Sequence, residues 1–107
     1  MRQMLIVCAA ALGTAAALTA QKAGDAGNGK AVFDQQCVMC HNANSTEKKV
    51  GPGLKGLFHR DKLANGKKAT EQNIRIKVED GGNGMPAYKD LLSQEEQADV
   101  MAYLKTL

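Results

Sequence analysis

The chain has 107 residues, room for one small domain, and a formal charge of +3. It has no tryptophan, two phenylalanines and two tyrosines, so a core built from side chains alone would be short of aromatic mass. Basic residues interleaved with stacking aromatics are absent, which sets nucleic-acid binding aside.

Residues 1–20 read as a secretory leader. Met1-Arg2 gives a positive start, Leu5 to Leu18 is almost wholly apolar, and Ala17 to Ala20 supplies small residues for cleavage. The apolar run is shorter than the roughly twenty residues a bilayer span needs, although retention as an N-terminal anchor is the alternative. Cys8 lies within that run behind Val7, which is not the small residue a lipoprotein site wants, so it is read as leaving with the leader. The expected organisation is a signal peptide over 1–20 and a single domain over 21–107, placed in the periplasm or otherwise exported.

The first helix is expected from about Asp25 to Gln36, with Asp25 as cap. Gly27 and Gly29 weaken it, but Gly29 shares a face with Phe33 and can admit a close neighbour. Cys37-Val38-Met39-Cys40-His41 follows. This C-x-x-C-H spacing is a c-type haem attachment site: the thiols add to the porphyrin vinyl groups, and His41 becomes the proximal ligand. A zinc half-site or a thioredoxin-like dithiol shares C-x-x-C. The first wants a second Cys/His pair and the second a βαβ context, and neither is present. In an exported chain the two thiols could also close a disulfide, but so small a loop would add little.

Gly51-Pro52-Gly53 and Gly81-Gly82-Asn83-Gly84 are the strongest turn signals. The Pro52 carbonyl is the natural acceptor for the second ring nitrogen of His41. Between the two turns, Ile74 to Val78 alternates like a strand, yet no second strand pattern offers a partner. Thr70 begins a capped helix, so a short helix over Thr70 to Glu79 is expected. Met85 follows the second turn and precedes Pro86. A methionine in such a glycine-rich loop is poorly placed for packing and is the candidate sixth iron ligand. Met101, beside the apolar stripe of the last helix, is expected in the core, Met39 away from the iron and His59 exposed. The last helix opens on a capping box, Ser93 to Glu96, and carries Val100, Tyr103, Leu104 and Leu107 at helical spacing.

Charge is unevenly spread. Residues 41–77 hold nine Lys/Arg against three Asp/Glu, and residues 78–107 hold two against six. Such a dipole can orient approach to a partner.

Together the motifs resemble a small class I cytochrome c of the bacterial exported type. The likeness rests on Cys37 to His41, on Gly51-Pro52-Gly53-Leu54-Lys55-Gly56-Leu57-Phe58, on Gly84-Met85-Pro86-Ala87-Tyr88 and on Val100 to Leu104. It implies an all-α fold of three main helices and glycine-rich loops around one covalent haem c. The N- and C-terminal helices would cross, with Gly29 and Phe33 against Val100 and Tyr103. It implies thioethers at Cys37 and Cys40, iron ligation by His41 and Met85, Pro52 behind His41, Leu54 against the haem, and a rim from Lys48, Lys49, Lys55 and Lys89. With no tryptophan to hold a propionate, Arg60, Asn65 or Lys67 would have to serve. The implied role is a soluble, monomeric one-electron carrier between larger redox proteins, not an enzyme. The alternatives are an electron-entry subunit of an exported dehydrogenase, or an open-site ligand-binding or peroxidase module.

Overall fold

A computed structural model describes residue 13 and residues 23–107. The leader expected over 1–20, and Cys8 within it, lie outside the described residues, Gly13 excepted. Among the described residues the chain forms α1 (Ala26–Gln36), a 3₁₀ turn (Leu57–His59), α2 (Glu71–Asp80) and α3 (Gln94–Leu104). Pairing in β fashion is limited there to two isolated bridges, Lys62 with Lys68 and Gly82 with Met85. No helix among the described residues is long and apolar enough to cross a membrane.

Each helix begins at a side-chain cap. Asp25 accepts the Asn28 N–H at 2.8 Å, and Thr70 accepts that of Asn73 at 3.1 Å. Ser93 and Glu96 complete the reciprocal capping box, both bonds at 3.0 Å. α2 resolves the ambiguity of its sequence: Ile74 and Val78, four apart, are buried, while Ile76 between them is 39% exposed. An alternating strand would have turned all three to one face.

The core lies where α1 meets α3. Gly29, Val32 and Phe33 are the buried face of α1, and Val100, Met101 and Leu104 that of α3. The backbones approach so closely that a methyl on Gly29 would overlap the Asp99 carbonyl and lie 2.9 Å from Tyr103 Cβ. Phe33 and Tyr103 fill the adjoining space as a tilted aromatic pair, centroids 5.4 Å apart. Asp99 is the buried charge of the core, and its carboxylate accepts the Asp25 N–H at 2.7 Å. That bond ties α3 to the start of α1, where a negative charge also suits the helix dipole. α3 stops at Leu104, short of the expected apolar stripe. Lys105 forms its C-cap, and half-buried Leu107 still packs on the core beyond the helix.

Candidate haem site

The C-x-x-C-H segment leaves α1 without a break. The Cys37 and Val38 N–H groups both donate to the Phe33 carbonyl, at 2.8 and 3.0 Å. Those of Cys40 and His41 both donate to the Cys37 carbonyl, at 3.0 and 2.9 Å. This tight turn leaves Cys37, Cys40 and His41 half-buried on one short segment. Met39, at its tip, is 80% exposed. Both cysteines are free thiols. Burial, with a smaller contribution from Cys40, pushes the Cys37 thiol up to about 11.

His41 is held from three sides by residues 51–54. The Gly51 N–H donates to the Cys40 carbonyl at 2.7 Å and the Leu54 N–H to the Asn42 carbonyl at 2.8 Å. Between them His41 Nδ1 lies 2.8 Å from the Pro52 carbonyl oxygen. A carbonyl only accepts, so Nδ1 carries the proton of this bond, and in the neutral ring Nε2 is then the nitrogen with the free lone pair. Nε2 has no hydrogen-bond partner among the described residues. Behind this segment, Arg60 Nη2 donates to the carbonyls of Gly53 and Lys55, both at 2.7 Å.

The Met85 loop is equally constrained. Gly81 ends α2 at φ +64°, where a side chain would collide with the Met85 and Pro86 carbonyls. Lys77 Nζ donates to the carbonyls of Gly81 and Gly82, at 3.2 and 3.1 Å. Gly82 and Met85 exchange backbone bonds of 3.0 and 3.1 Å across Asn83 (φ 52°) and Gly84 (φ 87°). Two central residues with positive φ define the turn type that asparagine–glycine favours. Met85 is half-buried against the core, as are Cys37, Phe58 and Leu63. Beyond Pro86, the Tyr88 and Lys89 N–H groups return to the Val78 and Glu79 carbonyls at 3.0 and 3.1 Å.

The other sequence candidates are also placed. Leu54 and Met101 are core residues, 8% and 4% exposed, and His59 is exposed at the end of the 3₁₀ turn. Arg60 is committed to backbone carbonyls, and Asn65 Oδ1 accepts the Lys67 N–H at 3.0 Å within its own turn. Lys89, expected in the rim, is exposed. It lines an open groove of about 790 Å³ with Asp25, Glu79 and Gln94, and neither His41 nor Met85 borders it. One contact had no signal in the local sequence: the Tyr88 hydroxyl donates to the Gln36 carbonyl at 2.8 Å, across 52 positions.

This donor set fits haem c. Two unpaired thiols and an imidazole with a free, oriented Nε2 share one short segment, and a methionine sits in a rigid loop against the same core. A zinc site would need more, and no group of three or more His, Cys, Asp or Glu suited to a metal is assembled among the described residues. Residues 26–107 match the cytochrome c family. The chain belongs to that family.

It is 32% identical to cytochrome c6 of Thermosynechococcus vestitus over 96% of this chain and 89% of that protein. It is 31% identical to part of cytochrome c oxidase subunit 2 of Alkalihalophilus pseudofirmus, over 77% of this chain and 25% of that one. The crystal structure of cytochrome c6 from the diatom Phaeodactylum tricornutum superposes with a TM-score of 0.60 at 34% identity, covering 78% of this chain and 93% of the other. The protein is thus a small class I c-type cytochrome. It carries one covalently bound haem c and transfers electrons without catalysing a reaction of its own.

Proposed function

We propose that the iron is held between His41 Nε2 and Met85 Sδ, and that the protein is an exported one-electron carrier between larger redox proteins. The observation that carries this reading is the 2.8 Å bond from His41 Nδ1 to the Pro52 carbonyl. It fixes the tautomer, turns Nε2 away from the Pro52 carbonyl and raises its basicity as a ligand. Cys37 and Cys40 supply the thioethers, and Leu54 is the apolar residue set against the haem.

When bound, the haem supplies the one-electron ferric–ferrous couple. The chain's share is to keep both ligands in place as that charge changes. Residues 51–54 do so for His41. The Gly82–Met85 turn, tied to α2 by Lys77, does so for Met85. A thioether is a soft, weak donor that favours ferrous iron, so the potential is expected above that of a bis-histidine haem. A closed sixth position also argues against the ligand-binding or peroxidase alternative.

Export rests on the leader over residues 1–20. Docking follows from charge. Among the described residues the ion pairs are Lys30–Asp34, Arg75–Glu71 and Lys105–Glu71. Lys48, Lys55, Lys62, Lys67 and Lys68 are exposed without an acidic partner there, which leaves the middle of the chain positive. The partial match to an oxidase subunit supports a second reading, a haem domain dedicated to one larger redox assembly. Copurification of a stoichiometric partner would favour it over a free carrier.

Potentiometric titration of the purified holoprotein tests the ligation. The wild type is expected to give a single one-electron wave, and Met85→His a wave at clearly lower potential. Equal potentials would mean that Met85 is not on the iron. Rapid, complete binding of carbon monoxide by the reduced wild type would restore the open-site alternative.

A further inference from the structure

Neither the attachment motif nor iron ligation uses Tyr88, yet it joins the two. The residue is 6% exposed. Its N–H reaches the Val78 carbonyl near the end of α2, and its carbonyl accepts the N–H groups of Leu91 and Leu92, at 3.2 and 3.0 Å. Its hydroxyl donates to the Gln36 carbonyl at 2.8 Å. Gln36 is the last residue of α1 and immediately precedes Cys37. The last carbonyls of a helix have no intrahelical donor, and α1 has no basic side chain in its last turn to provide one. The tyrosine therefore caps the helix that presents the haem attachment segment. It does so from a position three residues after Met85, with only Pro86 and Ala87 between.

We propose that Tyr88 is a positioning residue for Met85: its hydroxyl latches the loop of the second iron ligand to the end of the helix that bears the first. This rests on Met85 being that ligand. For Met85 to leave the iron, its loop must move, and the movement strains the Tyr88–Gln36 bond or breaks it. Breaking it gives up the one hydrogen bond of the hydroxyl of buried Tyr88, so the latch opposes opening. Pro86 shortens the lever by stiffening the link. Burial raises the Tyr88 phenol, which keeps it a protonated donor.

The test uses the ferric holoprotein and imidazole, which must wait for Met85 to dissociate before it can bind iron. Tyr88→Phe keeps the ring and its packing and removes only the hydroxyl. Imidazole is expected to bind it roughly two- to tenfold faster and tighter than the wild type, the factor that one lost hydrogen bond gives. Asp25→Ala serves as the control, because it removes the cap at the far end of α1 and lowers global stability without touching the loop. Unchanged imidazole kinetics in Tyr88→Phe would overturn the latch. So would an acceleration that Asp25→Ala reproduces at equal loss of stability. The ferric iron–sulfur absorption in the far red separates this from the ligation itself. If the wild type shows it, Met85→Ala loses it and Tyr88→Phe binds imidazole as the wild type does, only the latch is wrong. If the wild type lacks it, or Met85→Ala keeps it, the Met85 assignment fails and the latch fails with it.

Discussion

Gly51 faces the His41 imidazole so closely that a methyl group in place of its hydrogen would lie 2.5 Å from Cε1 and 2.9 Å from Nδ1. The glycine lets the backbone of residues 51–54 run along the ring and deliver the Pro52 carbonyl to Nδ1. A side chain there would push the ring off that carbonyl. Gly51→Ala is therefore expected to destabilise the holoprotein by about 1–3 kcal/mol, the usual cost of overpacking. It should also shift the reduction potential, because it disturbs the bond that orients and polarises the ligand. Denaturant unfolding and a redox titration of the same preparation would show both effects. A loss of stability with an unmoved potential would mean that the ring stays seated.

The crossing of α1 and α3 makes a similar demand at Gly29, whose missing Cβ is where the Asp99 carbonyl sits. Gly29→Ala gains about 1 kcal/mol of helix propensity but drives two backbones apart. The expected net loss is about 2 kcal/mol, seen as a fall of roughly 10 °C in the melting temperature of the holoprotein. Gly27→Ala, two positions away on the exposed face, provides the contrast. There a methyl meets only the Asp25 side-chain oxygen, at 3.1 Å, which must give by a few tenths of an ångström, so a much smaller change than at Gly29 is expected.

Local signals account for what the sequence makes legible. The Ser93–Glu96 box, the Thr70 cap, the C-x-x-C-H turn and the asparagine–glycine turn before Met85 each depend on residues a few positions apart. The alternation at Ile74 to Val78 misleads only if read without asking where a partner strand would come from. The ties that close the structure are of another kind. Asp25 meets Asp99 across 74 positions, and Tyr88 meets Gln36 across 52. No periodicity encodes such pairs, because they exist only once segments far apart in the chain have folded together. Arg60 shows the same limit at shorter range. The family likeness offers it as a donor to a haem propionate, whereas the folded loop gives it two backbone carbonyls.

Glu71 links α2 to the end of the chain through Lys105 Nζ at 3.0 Å and also pairs with Arg75. The hydrogen bond and charge of Lys105, with a smaller effect from Arg75, hold its carboxyl below the usual 4.5. A carboxylate lowered on folding stabilises above its unfolded value, and that contribution is lost as the pH falls below it. The pair is solvent-exposed, so the effect is small. Lys105→Ala is expected to melt slightly below the wild type at neutral pH, with the gap closing as the pH falls below 4.5. A gap that persists in acid would show that Lys105 acts through packing instead.

The most direct test of the central claim, iron held between His41 and Met85, is the ferric spectrum of the purified holoprotein in the far red. There a methionine sulfur on haem iron gives its own weak charge-transfer absorption. The account predicts that this band is present in the wild type and absent in Met85→Ala, with the haem still covalently attached through Cys37 and Cys40. A band that survives the Met85→Ala substitution, or a wild type that lacks it, would contradict the account.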